Sequence, residues 1–176
     1  DDATNYHRDQ HFIAWYRGEA HIARAFYYAE LIRRYGGVPV IESTLSGTDS
    51  LYVPRTPYEQ VVNYIVSEID GYVDSLQADW MTSDYQDQAG RFTRGAALAL
   101  KARVLLEAAS PLHNAGGDVS LWQKAAAAAH DVIALGQYGL DPSYGNYFTG
   151  ATALTSPETI FAIRRPASND LEKANY

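Results

Sequence analysis

Gly90-Arg91-Phe92-Thr93-Arg94-Gly95-Ala96-Ala97-Leu98-Ala99-Leu100-Lys101-Ala102-Arg103 is the stretch whose reading decides the fold, because in it a turn feeds a helix that is apolar on nearly every side. Such a helix belongs in an interior, and its small residues let neighbouring backbones come close. It reads as the central member of a stack of helices, starting near Thr93 and running to Ala109, before Ser110-Pro111.

Upstream, the periodicity predicts a helix from about His11 to Tyr35. Ile13, Tyr16, Ala20, Ala23 and Tyr27 fall on one stripe and Ile22, Phe26 and Ala29 on a second, so two packing partners are expected. Gly36-Gly37 stops the helix, and Val38-Pro39-Val40-Ile41 leaves it extended. Thr56-Pro57-Tyr58-Glu59 reads as a capping box, with Thr56 at the N-cap, Pro57 at the first helical position and Glu59 reaching back. The helix it opens carries Tyr58, Val61, Val62, Ile65, Ile69, Tyr72, Val73 and Leu76 on one face, the pattern of an outer helix.

Downstream, Ser120 reads as the cap of a fourth helix with Trp122, Ala125, Ala126, Ala129, Val132 and Ile133 as its stripe and Gly136 at its end. Ile160-Phe161-Ala162-Ile163 reads as a short strand with no partner strand elsewhere. The expected fold is therefore all-α: stacked antiparallel helix pairs of tetratricopeptide type, with long loops and little or no strand. Residues 1–10 read as an irregular lead-in, 11–140 as the helical repeat region and 141–176 as an irregular segment with the one short strand. The first-to-third helix spacing is about twice the tetratricopeptide period of roughly 34 residues, which long loops account for.

Charge narrows the partners. Lys and Arg number 14 against 21 Asp and Glu, and the net charge of −7 disfavours nucleic acid and anionic membranes. With no cysteine there is no disulfide, thiol nucleophile or Cys-ligated zinc. The first residues lack a basic-then-apolar leader and the apolar runs are too short to span a bilayer, so the chain is expected to be soluble or to have lost a targeting segment. Fourteen Tyr against five Phe and three Trp suit wet-edged helix cores and sugar recognition alike.

Three ordered blocks carry a resemblance. Gly18-Glu19-Ala20, Arg24-Ala25-Phe26-Tyr27-Tyr28 and Leu31 with Tyr35-Gly36-Gly37-Val38-Pro39 resemble the signature helix and exit turn of the SusD/RagB family. Gly90 to Arg103 resembles that family's second hallmark, and Trp122, Ala125, Ala129, Val132-Ile133, Gly136, Tyr138 and Leu140 its third. The resemblance spans about Gly18 to Ile163 and implies a nutrient-binding lipoprotein on the outer face of the outer membrane, acting as a lid over a TonB-dependent transporter barrel. It implies glycans as the usual cargo and peptides as the exception. Members of this family are much longer, so the chain reads as a fragment whose residues 141–176 lead into a missing carboxyl-terminal ligand-bearing region. Because the family's ligand contacts come largely from loops outside these blocks, no binding residue is carried over.

Candidate ligand residues come from the residues themselves. Asp79 to Gln88 combines Trp80, Asp84 and Tyr85, rings and carboxylates suited to stacking a sugar face and bonding its hydroxyls; a Trp that only staples the loop to the helix ends is the simpler alternative. Arg165, Asn169 and Tyr176 offer planar donors and a ring just beyond the third block, against the alternative of an ordinary surface segment. His7 and His11 share a helix face but lack a third ligand, and no metal or other cofactor is expected. No paired carboxylates in a cleft, Gly-x-Ser-x-Gly or phosphate loop is present, so the chain is not expected to be an enzyme. The function expected is non-catalytic capture of an oligosaccharide or polysaccharide at the cell surface and its delivery to the transporter, with lipid anchorage supplied from outside this stretch; the rivals are a helical adaptor for proteins and a peptide-binding relative.

Overall fold

The computed structural model describes residues 2–48, 52–80, 88, 90–148 and 156–163, with side chains from residue 12 onward except those of 146 and 147. Its elements are α1 (Asp2–Tyr35), α2 (Tyr58–Tyr72) with a 3-10 turn at Val73–Ser75, α3 (Arg94–Ala109), α4 (Val119–Ala134) and the short α5 (Tyr144–Tyr147). The described residues contain no strand, only an isolated antiparallel bridge between Val38 and Thr56, and the class is all-α. α1, α2 and α3 pack on one another, and α4 lies along α3.

α1 begins at Asp2 rather than His11, so residues 2–10 are helix and not an irregular lead-in. No glycine or proline interrupts the run from Ala3 to Arg17, and nothing there stops propagation. Of its two apolar stripes, the one with Ile22 and Ala29, joined by Ala25 and Ile32, is packed against Val61, Val62, Ile65 and Ile69 of α2 and Ala97, Val104 and Ala108 of α3. The other stripe faces outward.

Thr56 does not cap α2. Pro57 holds the N-cap position without a side-chain bond, because Thr56 is committed to the bridge, its N–H donating to the Val38 carbonyl at 3.1 Å. Gly37 sits so close beneath Thr56 that a Cβ would collide with its carbonyl, which ties the exit turn of α1 to the entry of α2. α3 starts as expected: Thr93 is its N-cap and Oγ1 accepts from the Ala96 N–H at 3.1 Å. Gly95, Ala96, Ala97, Val104, Ala108 and Ala109 are buried, while Arg103 and Leu106 reach solvent, so this helix is enclosed over most of its surface rather than all round.

α4 is capped by Asp118, whose Oδ1 accepts from the Ser120 N–H at 2.8 Å, and not by Ser120. Asn114 fixes that carboxylate's backbone from both sides, accepting from the Asp118 N–H at 2.8 Å and donating to its carbonyl at 2.9 Å. The buried residues of α4 are Ala125 and Ala128, and Trp122 and Ile133 of the expected stripe are exposed. Residues 125–129 are all alanine, so apolar spacing alone cannot say which row meets α3. Ile160–Ile163 forms no strand: with no partner edge among the described residues, it is held instead by Phe161, stacked on Phe92 at 4.7 Å and set edge-on to Phe26 at 6.4 Å.

Candidate ligand-binding site

The loop between the 3-10 turn and α3 is clamped at its base onto the first half of α1. Trp80 is 2% exposed, its Nε1–H donates to the Phe92 carbonyl at 2.9 Å, and its ring meets Trp15 edge-on at 5.5 Å. Arg91 grips Glu19 with two parallel bonds, Nε to Oε1 at 2.8 Å and the terminal nitrogen to Oε2 at 2.8 Å, and its remaining nitrogen donates to Gln88 Oε1 at 2.9 Å. The same guanidinium lies 4.3 Å from the Trp80 ring and 4.8 Å from that of Tyr16, a flat cation between two π faces. The Arg94 N–H closes the base on the Gln77 carbonyl at 2.9 Å.

A second polar node joins α1 to α2. Arg24 Nε donates to Glu68 Oε2 at 2.9 Å, and His21 Nδ1 lies 2.8 Å from the same oxygen with its ring stacked on Tyr72 at 3.5 Å. Burial first, and the Glu68 charge second, push the neighbouring Tyr64 hydroxyl up to about 12. Directional bonds of this kind fix the helix register that the aliphatic core alone leaves loose.

Trp80 therefore offers no free face for a sugar: its ring is spent on Trp15, Arg91 and Phe92, and it holds the loop down. Asp84, Tyr85, Arg165, Asn169 and Tyr176 lie outside the described residues, as do the side chains of His7 and His11. His130 and Asp131 are exposed on α4. Among the described residues no group of three or more His, Asp or Glu is placed to hold a metal, and no helix is long and apolar enough to cross a membrane. The Arg91–Glu19 pair, 72 residues apart, was not among the sequence candidates; its signal was two opposite charges embedded in otherwise small or apolar motif blocks.

A family model described as SusD-like, starch-binding associating with outer membrane, matches residues 3–106. SusD-like protein P38 of Formosa agariphila is 33% identical over 90 residues, which cover 51% of this chain and 16% of that protein. Among solved structures, a SusD-like protein of Bacteroides fragilis superposes with a TM-score of 0.69 at 26% identity, over 85% of this chain and 27% of the other. A SusD-like carbohydrate-binding protein of the same organism gives 0.66 at 26% identity, over 82% of this chain and 26% of its own. The chain thus spans about a quarter of these solved relatives and less of the curated one.

Proposed function

Since the chain belongs to the SusD-like family of starch-binding proteins associated with the outer membrane, we propose that the full-length protein captures a glycan at the cell surface and passes it to a TonB-dependent transporter barrel, held to the membrane by a lipid anchor. The observation that carries this reading is the family match across α1, α2 and most of α3. The clamped loop supports it. A rigid base made by Trp80, Arg91 and Glu19 lowers the entropy lost when the loop above it binds a ligand. In this reading Asp84 and Tyr85 face the sugar, Arg165, Asn169 and Tyr176 add planar donors and a ring, and Trp80 positions the loop rather than touching the ligand. Capture needs no turnover, and no reducing sugar is released.

The test uses the full-length protein in affinity gels and thermal-shift titrations against a panel of soluble polysaccharides and peptides. At least one glycan should retard the protein and raise its melting temperature in proportion to the logarithm of ligand over Kd, and Tyr85→Ala should weaken that response. Peptide binding with every glycan ignored overturns the reading.

A further inference from the structure

Three atoms where α1 meets α2 stand closer together than their protons allow. His21 Nδ1 is 2.8 Å from Glu68 Oε2 and 2.8 Å from a terminal nitrogen of Arg24, and that nitrogen is 2.6 Å from the same Oε2. In its ring plane an imidazole nitrogen carries either a lone pair or a proton. With a lone pair, Nδ1 accepts from Arg24 but confronts a carboxylate oxygen with no hydrogen between them. With a proton, it donates to Glu68 but turns an N–H toward a guanidinium N–H. One side of the triangle is repulsive in either state, and the proton on His21 decides which.

The surroundings set what moves. The imidazole lies on the Tyr72 ring at 3.5 Å with 13° between the planes, which opposes a flip that would exchange its two nitrogens. The side chains of His21 and Glu68 are 22% and 11% exposed against 32% for Arg24, so the guanidinium has the easiest route to water. The Tyr64 ring, 5.9 Å from it, offers a π face on the way. Neighbouring charges are already answered: Asp70 of α2 holds Lys101 of α3 at 2.7 Å, and Asp74 of the 3-10 turn faces Arg94 of α3 at 3.8 Å. Tyr64 stays neutral, burial above all pushing its hydroxyl up to about 12.

We propose that His21 is a proton-operated switch in the contact between α1 and α2. Neutral, it carries its proton on Nε2 and accepts from Arg24 through Nδ1. Protonated, it donates from Nδ1 to Glu68, and the Arg24 terminal nitrogen withdraws toward Tyr64 and water. The switch stands at the root of the segment that leads to Trp80. Tyr72 closes α2, its carbonyl accepts from Ser75 Oγ at 2.6 Å, and Ser75 lies so close over Gly18 that a Cβ there would strike its hydroxyl. Acid thus exchanges a mobile guanidinium tie for a stacked, planar one at that root.

Crystals of the full-length protein grown at about pH 8 and about pH 5, the range over which imidazole ordinarily changes charge, test this directly. At the lower pH the distance from Nδ1 to the Arg24 terminal nitrogen should open beyond about 3.5 Å while Nδ1 stays within hydrogen-bond reach of Glu68. An unmoved Arg24, or a Glu68 that leaves His21 in acid, overturns the proposal. In solution, the protein labelled with 15N-histidine, with His21 identified by its contacts to the Tyr72 ring, should show the Nε2–H tautomer at the higher pH and protons on both nitrogens at the lower. Arg24→Ala should invert that tautomer preference, placing the neutral ring's proton on Nδ1 toward Glu68. An Nδ1–H tautomer in the parent at the higher pH, or an Nε2–H tautomer that survives Arg24→Ala, overturns it as well. The crystals need no variant and decide alone should Arg24→Ala fail to fold.

Discussion

The two flanks of α1 that are in use hold the molecule in different ways. Around Ile22, Ala25, Ala29 and Ile32 the contact is aliphatic and non-directional, shared among Val61, Val62, Ile65 and Ile69 of α2 and the small face of α3. At Glu19, by contrast, a handful of atoms decide the geometry: one carboxylate, one guanidinium, two ring faces and an indole N–H. The first arrangement sets how stable the helix stack is, and the second sets where the loop preceding α3 leaves it. The sharpest way to separate them is to damage each in turn. Ile69 is fully buried in the last turn of α2, so Ile69→Ala in the full-length protein should lower unfolding stability by about 2–5 kcal/mol, the combined loss of transfer energy and cavity formation, seen as a fall in denaturant midpoint at constant slope. The Trp80 environment should be unchanged in the molecules that remain folded.

At the loop base the expected loss is smaller and more specific. Arg91→Ala leaves the Glu19 carboxylate, 17% exposed, without its partner and should cost about 2–3 kcal/mol, below the range for a fully buried pair. It should also shift the fluorescence of Trp80, which loses the cation over its face. Arg91→Lys distinguishes the contact types: an ammonium keeps the charge but neither the two parallel bonds nor the flat stacking, so lysine should recover less than half of the loss. Full recovery by lysine would show that charge alone positions the loop.

The same contrast governs what the amino-acid order disclosed. The period of Ile22, Ala29, Val61, Ile65 and Ile69 marks a helix stack because burial selects a residue class at each turn, and a class can be read one residue at a time. The partner of Arg91 cannot be read that way. Its identity depends on the turn geometry that brings positions 72 apart together, and Trp80, by residue type a ring suited to a sugar, is withdrawn by the same geometry. The alanine run of α4 fails for the opposite reason: every row is equally apolar, so pattern carries no direction, and spacing alone places the exposed Trp122 on the inward stripe. Ile160–Ile163 carries strand propensity, yet a strand needs an edge, and the aromatic seat on Phe92 prevailed.

Capping gives the finest test, because two threonines with similar local signals behave differently. Thr93 stands immediately before α3 and Thr56 two residues before α2. In the folded chain Thr93 Oγ1 satisfies an otherwise orphaned α3 amide, whereas Thr56 makes no side-chain bond to α2 and contributes its backbone to the bridge with Val38. Thr93→Ala should therefore cost about 1 kcal/mol, with Thr93→Ser recovering most of it. Thr56→Ala keeps the backbone bridge intact and should stay within about 0.5 kcal/mol of the parent. Equal losses at the two positions would mean that Thr56 turns its hydroxyl to α2 in solution, and that the bridge yields to the cap rather than the cap to the bridge.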